Sequence, residues 1–132
     1  MDPAHEANPR LAFHASPMTT LPVIIHLVEA GVLIATPRLG VRDRSHPKGY
    51  FPGQLVTLQV CQGDHEVVLS RQVRIVSLLS KPLSELTGCE LRRTRLYSAG
   101  WTAVQHDLSF FERRPIAENE MITIVEFSYV TT

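Results

Sequence analysis

The chain has 132 residues, of which 44% are apolar and 20% are charged. This is the size of one ordinary domain with enough apolar material for a packed core, so composition excludes a disordered chain. The longest apolar stretch, residues 21–34, is interrupted by polar residues and a glycine, and is too short to span a bilayer. The preceding residues lack the basic-then-apolar order of a secretion signal, and two cysteines are too few for a disulfide scaffold. We therefore expect a cytoplasmic protein with reduced thiols and no membrane contact.

The formal net charge is zero, but the charges are unevenly distributed. Residues 38–95 contain ten basic and five acidic side chains, whereas residues 1–37 and 96–132 are both net acidic. Eleven of the 13 basic residues are arginine, whose planar guanidinium suits phosphate and nucleobases. Such a cationic segment on a neutral protein favours an anionic ligand.

The first part of the chain is predicted to contain one helix. Residues 1–18 include three prolines and show no apolar period, so we predict an irregular N-terminal tail followed by a single domain over residues 19–132. A helix is expected to start at Thr20, which can act as its N-cap, and to end at Gly31. A short strand over residues 32–36 and a polar loop follow.

The rest of the chain alternates between strand and helix patterns. Polar and apolar residues alternate through the predicted strands, and a Gln-Gly-Asp turn joins the first two as a hairpin. The predicted elements are strands over 55–61 and 66–79, helical turns over 82–86 and 90–97, a helix from Thr102 to about Arg113, and a final strand over 121–130. Hairpin-paired strands with helices between them favour an α+β fold built on a small mixed β-barrel with flanking helices.

Three short motifs in this order resemble the ASCH family, whose fold is a β-barrel related to the RNA-binding PUA domain. The segment Gly31–Arg38 resembles the family's Gly-x-Lys-x-x-Thr/Glu-x-Arg pattern, and Phe51-Pro52-Gly53-Gln54 resembles its Pro-Gly-Asp-like turn. Gly100-Trp101, an amphipathic helix and the strand Ile122–Phe127 resemble the family's C-terminal part. The resemblance covers about residues 19–130.

The resemblance also implies where chemistry would occur. ASCH members that resemble amidohydrolases acting on acetylated cytidine use a lysine, a threonine and a glutamate. Here Thr36 is retained, but Leu33 occupies the lysine position and no glutamate lies between residues 91 and 104. Because a threonine hydroxyl without a base is not an activated nucleophile, the resemblance leaves open whether this chain is an enzyme.

The candidate binding residues lie in the basic loop and after the second helical segment. Several converging cations can neutralise phosphate, and an aromatic ring can stack on an unpaired base. The candidates for contact with RNA or a nucleoside are Thr36, Arg38, Arg42, Arg44, Lys48, Tyr50, Tyr97 and Trp101. The structural alternatives are a solvated loop in which Asp43 pairs with an arginine, and a core position for Trp101.

Thr36 and His46 are the candidate catalytic residues. His46 could remove the proton from a ribose 2′-hydroxyl while an arginine stabilises the charge on phosphate. No His, Cys, Asp or Glu cluster has zinc or magnesium spacing, and no glycine-rich phosphate loop precedes a helix. We expect no metal and no cofactor.

The sequence thus supports three functions. The first is an ASCH-type, PUA-like domain that binds RNA or a modified nucleoside through a cationic cleft. The second is a hydrolase acting on RNA or on an acylated nucleoside. The third is a non-catalytic interaction domain with a decayed pocket, since Leu33 would make the ancestral site more apolar. The first requires the mid-chain cations to gather around one concave mouth.

Overall fold

The structure, a computed structural model, describes residues 9–64 and 66–131. Its elements are β1 (Arg10–His14), α1 (Leu21–Glu29), β2 (Ala35–Leu39), β3 (Leu55–Gln62), β4 (Glu66–Pro82), a 3-10 turn (Leu83–Glu85), α2 (Gly88–Arg92), α3 (Trp101–Glu112) and β5 (Met121–Tyr129).

One five-stranded sheet has the strand order β1-β3-β4-β5-β2 and curls into a half-barrel. β1 pairs with β3 in parallel, whereas the other three pairings are antiparallel. The sheet is therefore mixed, and with three helices around it the predicted α+β small barrel is confirmed. β1 and β2 are its two edge strands, which places their free edges at the open side of the curl.

The predicted irregular tail is wrong where residues 10–14 are concerned, because they form β1. Leu11 and Phe13 are buried while Arg10 and His14 are exposed, which is the period-two pattern of a half-buried strand. The segment was missed because only five residues carry the pattern and prolines flank it on both sides. Residues 1–8 of the predicted tail lie outside the described residues.

α1 follows its sequence signals, but β2 does not. Thr20 is the N-cap of α1, Pro22 lies in its first turn, and Gly31 adopts a left-handed conformation just after its end. β2 spans residues 35–39 rather than 32–36, so Arg38 belongs to a strand and not to the loop. Proline is tolerated in β2 because the strand lies at an edge of the sheet.

Two apolar clusters fill the interior. One lies between α1 and the concave side of β1, β3, β4 and β5, and includes Leu33 and Phe127. The other packs α2 and α3 against β2 and β5, and includes Leu91 and Val104. Within residues 9–64 and 66–131, no helix is long and apolar enough to cross a membrane.

Candidate functional site

A cavity of about 900 Å³ opens between the two free sheet edges and the C-terminal half of α3. Its walls come from β1, the start of α1, β2, the end of β3 and the last turns of α3. Four of the predicted site residues line it: Thr36, Arg38, Arg42 and Tyr97. Thr36 and Arg38 are two residues apart on one strand and therefore share a face of the sheet.

Arg38 connects the two edges of the sheet. Its Nη2 donates a 2.8 Å hydrogen bond to the Ala12 carbonyl of β1, and its guanidinium lies 5.1 Å from the centre of the Phe13 ring. Burial lowers the pKa of Arg38, and the positive charge of Arg42 acts in the same direction. A guanidinium nevertheless stays protonated in proteins, so the cavity contains a permanent, partly desolvated cation.

Tyr97 and Asp107 form a buried pair beside this cation. The Tyr97 hydroxyl donates a 2.8 Å hydrogen bond to Oδ2 of Asp107, whose residue is only 2% exposed. Burial and the neighbouring Asp107 carboxylate raise the pKa of Tyr97 far above its usual range, although the Arg38 charge opposes this. Tyr97 is therefore a fixed hydrogen-bond donor.

Two buried polar atoms on these residues lack partners. Arg38 Nε and Asp107 Oδ1 are inaccessible to solvent, and neither has a hydrogen-bond partner among residues 9–64 and 66–131. An unpaired buried polar atom costs about 1–3 kcal/mol, and more when the group is charged. One atom is a donor and the other an acceptor, so the site combines unmet hydrogen-bonding capacity of both kinds.

A hydrogen-bond network holds Arg42 at the mouth of the cavity. Its Nε donates to the Leu39 carbonyl at 2.7 Å, and its backbone N–H donates to the Thr123 hydroxyl at 3.0 Å. Thr123 is fully buried in β5 and donates in turn to the Gly40 carbonyl at 2.6 Å. The start of the basic loop is thus anchored to β5.

Arg44 and Lys48, the other two cations of the loop, do not line the cavity. The Arg44 guanidinium lies 4.2 Å from the centre of the Phe51 ring, and both cations are exposed. The expectation that all the loop cations share one concave mouth is therefore wrong, because the loop turns away after Arg42.

His46 is unsuited to the role of general base. Its Nδ1 accepts a 2.9 Å hydrogen bond from the Lys48 backbone N–H. In the neutral ring this assigns the proton to Nε2, which leaves no free acceptor. His46 also lies outside the cavity lining. The structure therefore gives the predicted catalytic role for His46 no support, and the role stays a prediction.

The two remaining aromatic candidates pack against the apolar clusters, Tyr50 buried and Trp101 half-buried. Tyr50 is 5% exposed within the first apolar cluster, and its hydroxyl donates to the Arg10 carbonyl at 2.9 Å. Trp101 packs against the second cluster at the start of α3. Neither lines the cavity, so the structure does not bring these two predicted binding residues to the site.

Leu33, at the lysine position implied by the resemblance, is fully buried in the first apolar cluster and does not line the cavity. The reactive set of the amidohydrolase-like members is thus incomplete here. The cavity is polar around Thr36, Arg38 and Tyr97, which differs from the dry pocket expected of a decayed site.

The charges around the cavity nearly balance. Among the described residues its lining includes three basic side chains (Arg38, Arg42 and Arg113) and three acidic ones (Asp64, Asp107 and Glu112). A balanced lining with a buried donor and acceptor suits a small polar ligand better than a polyanion.

Solved structures share this architecture. The chain is similar to an ASCH domain from Lactobacillus crispatus JV V101, with a TM-score of 0.59 and 13% identity over 89% of this chain and 79% of that one. It is equally similar to an Enterococcus faecalis V583 protein of family DUF984, with a TM-score of 0.60 and 12% identity over 93% of this chain and 80% of that one. The chain has the ASCH-domain fold. No family model and no curated protein sequence matches it.

Sequence reasoning missed Asp107, which is only 2% exposed and is the one fully buried acidic residue among residues 9–64 and 66–131. A signal was present, because Asp107 lies at helical spacing among Ala103, Val104 and Leu108, which are all buried. A lone carboxylate on an otherwise apolar helix face indicates either a buried hydrogen-bond network or a site. The exposed rings of Phe110 and Phe111, also in the lining, were missed as well.

Proposed function

We propose that this PUA-like domain binds a modified nucleoside, free or as a single unit of an RNA, in the cavity between β1, β2 and α3. The observation that carries the proposal is the convergence of Arg38, Tyr97 and Asp107 on one cavity. These side chains combine hydrogen-bond donors with a carboxylate acceptor, and nucleobases carry both kinds of group on their edges.

The dimensions of the cavity support a small ligand. Its volume of about 900 Å³ lies within the roughly 300–1,000 Å³ of small-molecule sites and exceeds what one nucleoside occupies. Arg42 and Arg113 at the lining could contact a sugar or phosphate, while Thr36 and Tyr97 supply hydroxyl groups. The acidic half of the lining argues against a continuous track for an RNA strand.

Binding is favoured over hydrolysis by the identity of two residues. Of the lysine, threonine and glutamate that the resemblance implies, only the threonine is retained, as Thr36. Leu33, at the lysine position, is fully buried in the core. His46, the other catalytic candidate, uses Nδ1 as an acceptor within its own loop. The cavity therefore supports recognition more directly than catalysis.

The test is calorimetric titration with cytidine, N4-acetylcytidine, uridine, adenosine and guanosine, and with a single-stranded RNA dodecamer. We expect at least one nucleoside to bind, and Asp107→Asn to weaken its binding roughly 10- to 100-fold, because a charge-assisted acceptor becomes an amide. Asn keeps a carbonyl oxygen for the Tyr97 hydroxyl, so the fold should be retained.

Glu118→Gln is the matched control, because this carboxylate is exposed and lies outside the cavity lining. Arg44→Ala/Lys48→Ala should leave nucleoside affinity unchanged. The proposal fails if no nucleoside binds. It also fails if only the dodecamer binds, with a steep dependence on salt and on Arg44 and Lys48, because that pattern describes a surface track for phosphates.

A further inference from the structure

Two large aromatic side chains are exposed at the rim of the cavity. Phe110 is 50% and Phe111 is 40% exposed, and both belong to the lining. Their rings pack edge to face, with centroids 5.3 Å apart and an interplanar angle of 69°. Adjacent exposed aromatic rings on a cavity wall are unfavourable in water, and they provide apolar contact area for a ligand.

Helix geometry relates these rings to the buried carboxylate. Phe110 and Phe111 follow Asp107 by three and four residues, so all three share one stripe of α3. One helical turn rises about 5.4 Å. Asp107 is thus the buried member of the stripe, and the two exposed rings lie about one turn nearer the end of the helix.

We propose that Phe110 and Phe111 are the specificity-determining element of the cavity and contact an apolar or aromatic substituent of the ligand. This inference rests on the proposed function for the class of ligand and extends it. The polar head of the ligand reaches Asp107 and Arg38, and its apolar group covers the two rings. The cavity thus selects nucleosides with a bulky apolar modification over unmodified ones.

Phe111 is the better position for a test, because Phe110 also borders a second, shallow groove beside His106 and Pro115. Phe111→Ala removes the ring, and Phe111→Leu keeps an apolar side chain without the aromatic face. Val23→Ala is the matched control, because Val23 is a 46% exposed apolar residue of α1 outside the cavity lining. None of these changes removes a buried side chain.

The experiment compares ligands with and without a benzyl group by calorimetry and by NMR shifts of residues 107–113. One pair is adenosine and N6-benzyladenosine, and the other is urea and N-benzylurea, which contains no nucleoside. We expect each benzyl compound to bind roughly 10-fold more tightly than its parent. Phe111→Ala should abolish this advantage, Phe111→Leu should retain part of it, and Val23→Ala should leave it intact.

The outcomes separate the two proposals. Equal binding of adenosine and N6-benzyladenosine, unchanged by Phe111→Ala, overturns the specificity role and leaves nucleoside binding in place. Binding of N-benzylurea that depends on Phe111, without binding of any nucleoside, supports the aromatic rim and overturns the proposed function. If no compound shifts the signals of residues 107–113, both proposals are overturned.

Discussion

At the scale of single residues, the site depends on how each buried polar atom is satisfied. The phenol of Tyr97 satisfies one oxygen of Asp107, while the other oxygen has no partner in the described chain. Arg38 likewise uses Nη2 on the Ala12 carbonyl and keeps Nε unpaired. Because protein structures pair most buried polar groups, these two atoms are exceptions within the part of the chain that the structure describes.

Removing the Tyr97 hydroxyl should destabilise the protein. In Tyr97→Phe the Oδ2 atom of the buried Asp107 carboxylate loses its protein partner, which costs about 1–3 kcal/mol of unfolding free energy. Urea denaturation measures the loss. The double variant Tyr97→Phe/Asp107→Asn should recover part of it, because a neutral amide is cheaper to bury unpaired than a carboxylate. A change below about 0.5 kcal/mol in Tyr97→Phe would contradict this account of the pair.

At the scale of elements, α3 contributes Asp107, Phe110 and Phe111, the lining residues that the sequence did not predict. Gly100 caps its start with a positive φ of 123°, and Arg113 ends it in a left-handed conformation. The segment after α3 is held by a bidentate ion pair, in which Arg114 donates to the two carboxylate oxygens of Glu120 at 2.8 and 2.9 Å. This Arg114–Glu120 ion pair, called the clip below, joins the end of α3 to the start of β5. It therefore holds in place the cavity wall that contains Asp107 and the two phenylalanines.

Because of the clip, we expect the free energy of unfolding to depend on pH in the acidic range. The hydrogen bond from Arg114, reinforced by the Ala117 backbone N–H, lowers the pKa of Glu120 from 4.5 to about 2. Because the folded pKa is the lower one, the stabilisation is complete above the unfolded pKa and is lost as pH falls from about 4.5 through 2.

Urea denaturation of the wild type and of Glu120→Gln as a function of pH measures this contribution. The wild type should be more stable at pH 6, and the difference should shrink as acid protonates Glu120. Glu118→Gln, in the same exposed turn, controls for the loss of a negative charge. A gap between wild type and Glu120→Gln that stays constant down to pH 2 would show that the clip does not stabilise the fold.

At the scale of the whole molecule, side-chain hydrogen bonds rather than a backbone ladder hold the free edge of β1 at the open side of the half-barrel. Arg38 of β2 bonds to the Ala12 carbonyl, and the Tyr50 hydroxyl bonds to the Arg10 carbonyl at 2.9 Å, so β1 receives both contacts. Its opposite edge pairs with β3. The gap between the edges, which a closed barrel would lack, is where the cavity forms.

Loss of these two hydrogen bonds should increase local opening of β1 without affecting the rest of the sheet. Tyr50→Phe removes one hydrogen bond, worth about 1 kcal/mol, and Arg38→Met removes the other. Hydrogen–deuterium exchange should then accelerate at residues 10–14, while the β3–β4 hairpin keeps its protection. Arg42→Met, which removes a cation from the same cavity without touching β1, should leave exchange at residues 10–14 unchanged. Uniform acceleration over the whole sheet would contradict a local role.

Local chemistry in the sequence determined most elements and the fold class. The alternation in residues 55–61 predicted β3, and the Thr20 and Pro22 signals predicted α1, because strand periodicity and helix capping act over a few residues. The motifs that resembled the ASCH family led to the fold that the solved structures share. The sequence did not predict β1, because an alternating pattern of five residues is too short to indicate a strand.

The composition of the site was decided only by the tertiary structure. Nothing in the sequence separates Arg42, which lines the cavity, from Arg44, which stacks on Phe51, because the difference depends on where the loop turns. The cavity that Arg38, Ala12 and Asp107 line is built from segments that are remote along the chain. It requires the sheet to curl until its edges approach each other and α3, and such long-range packing leaves no local pattern from which it could be predicted.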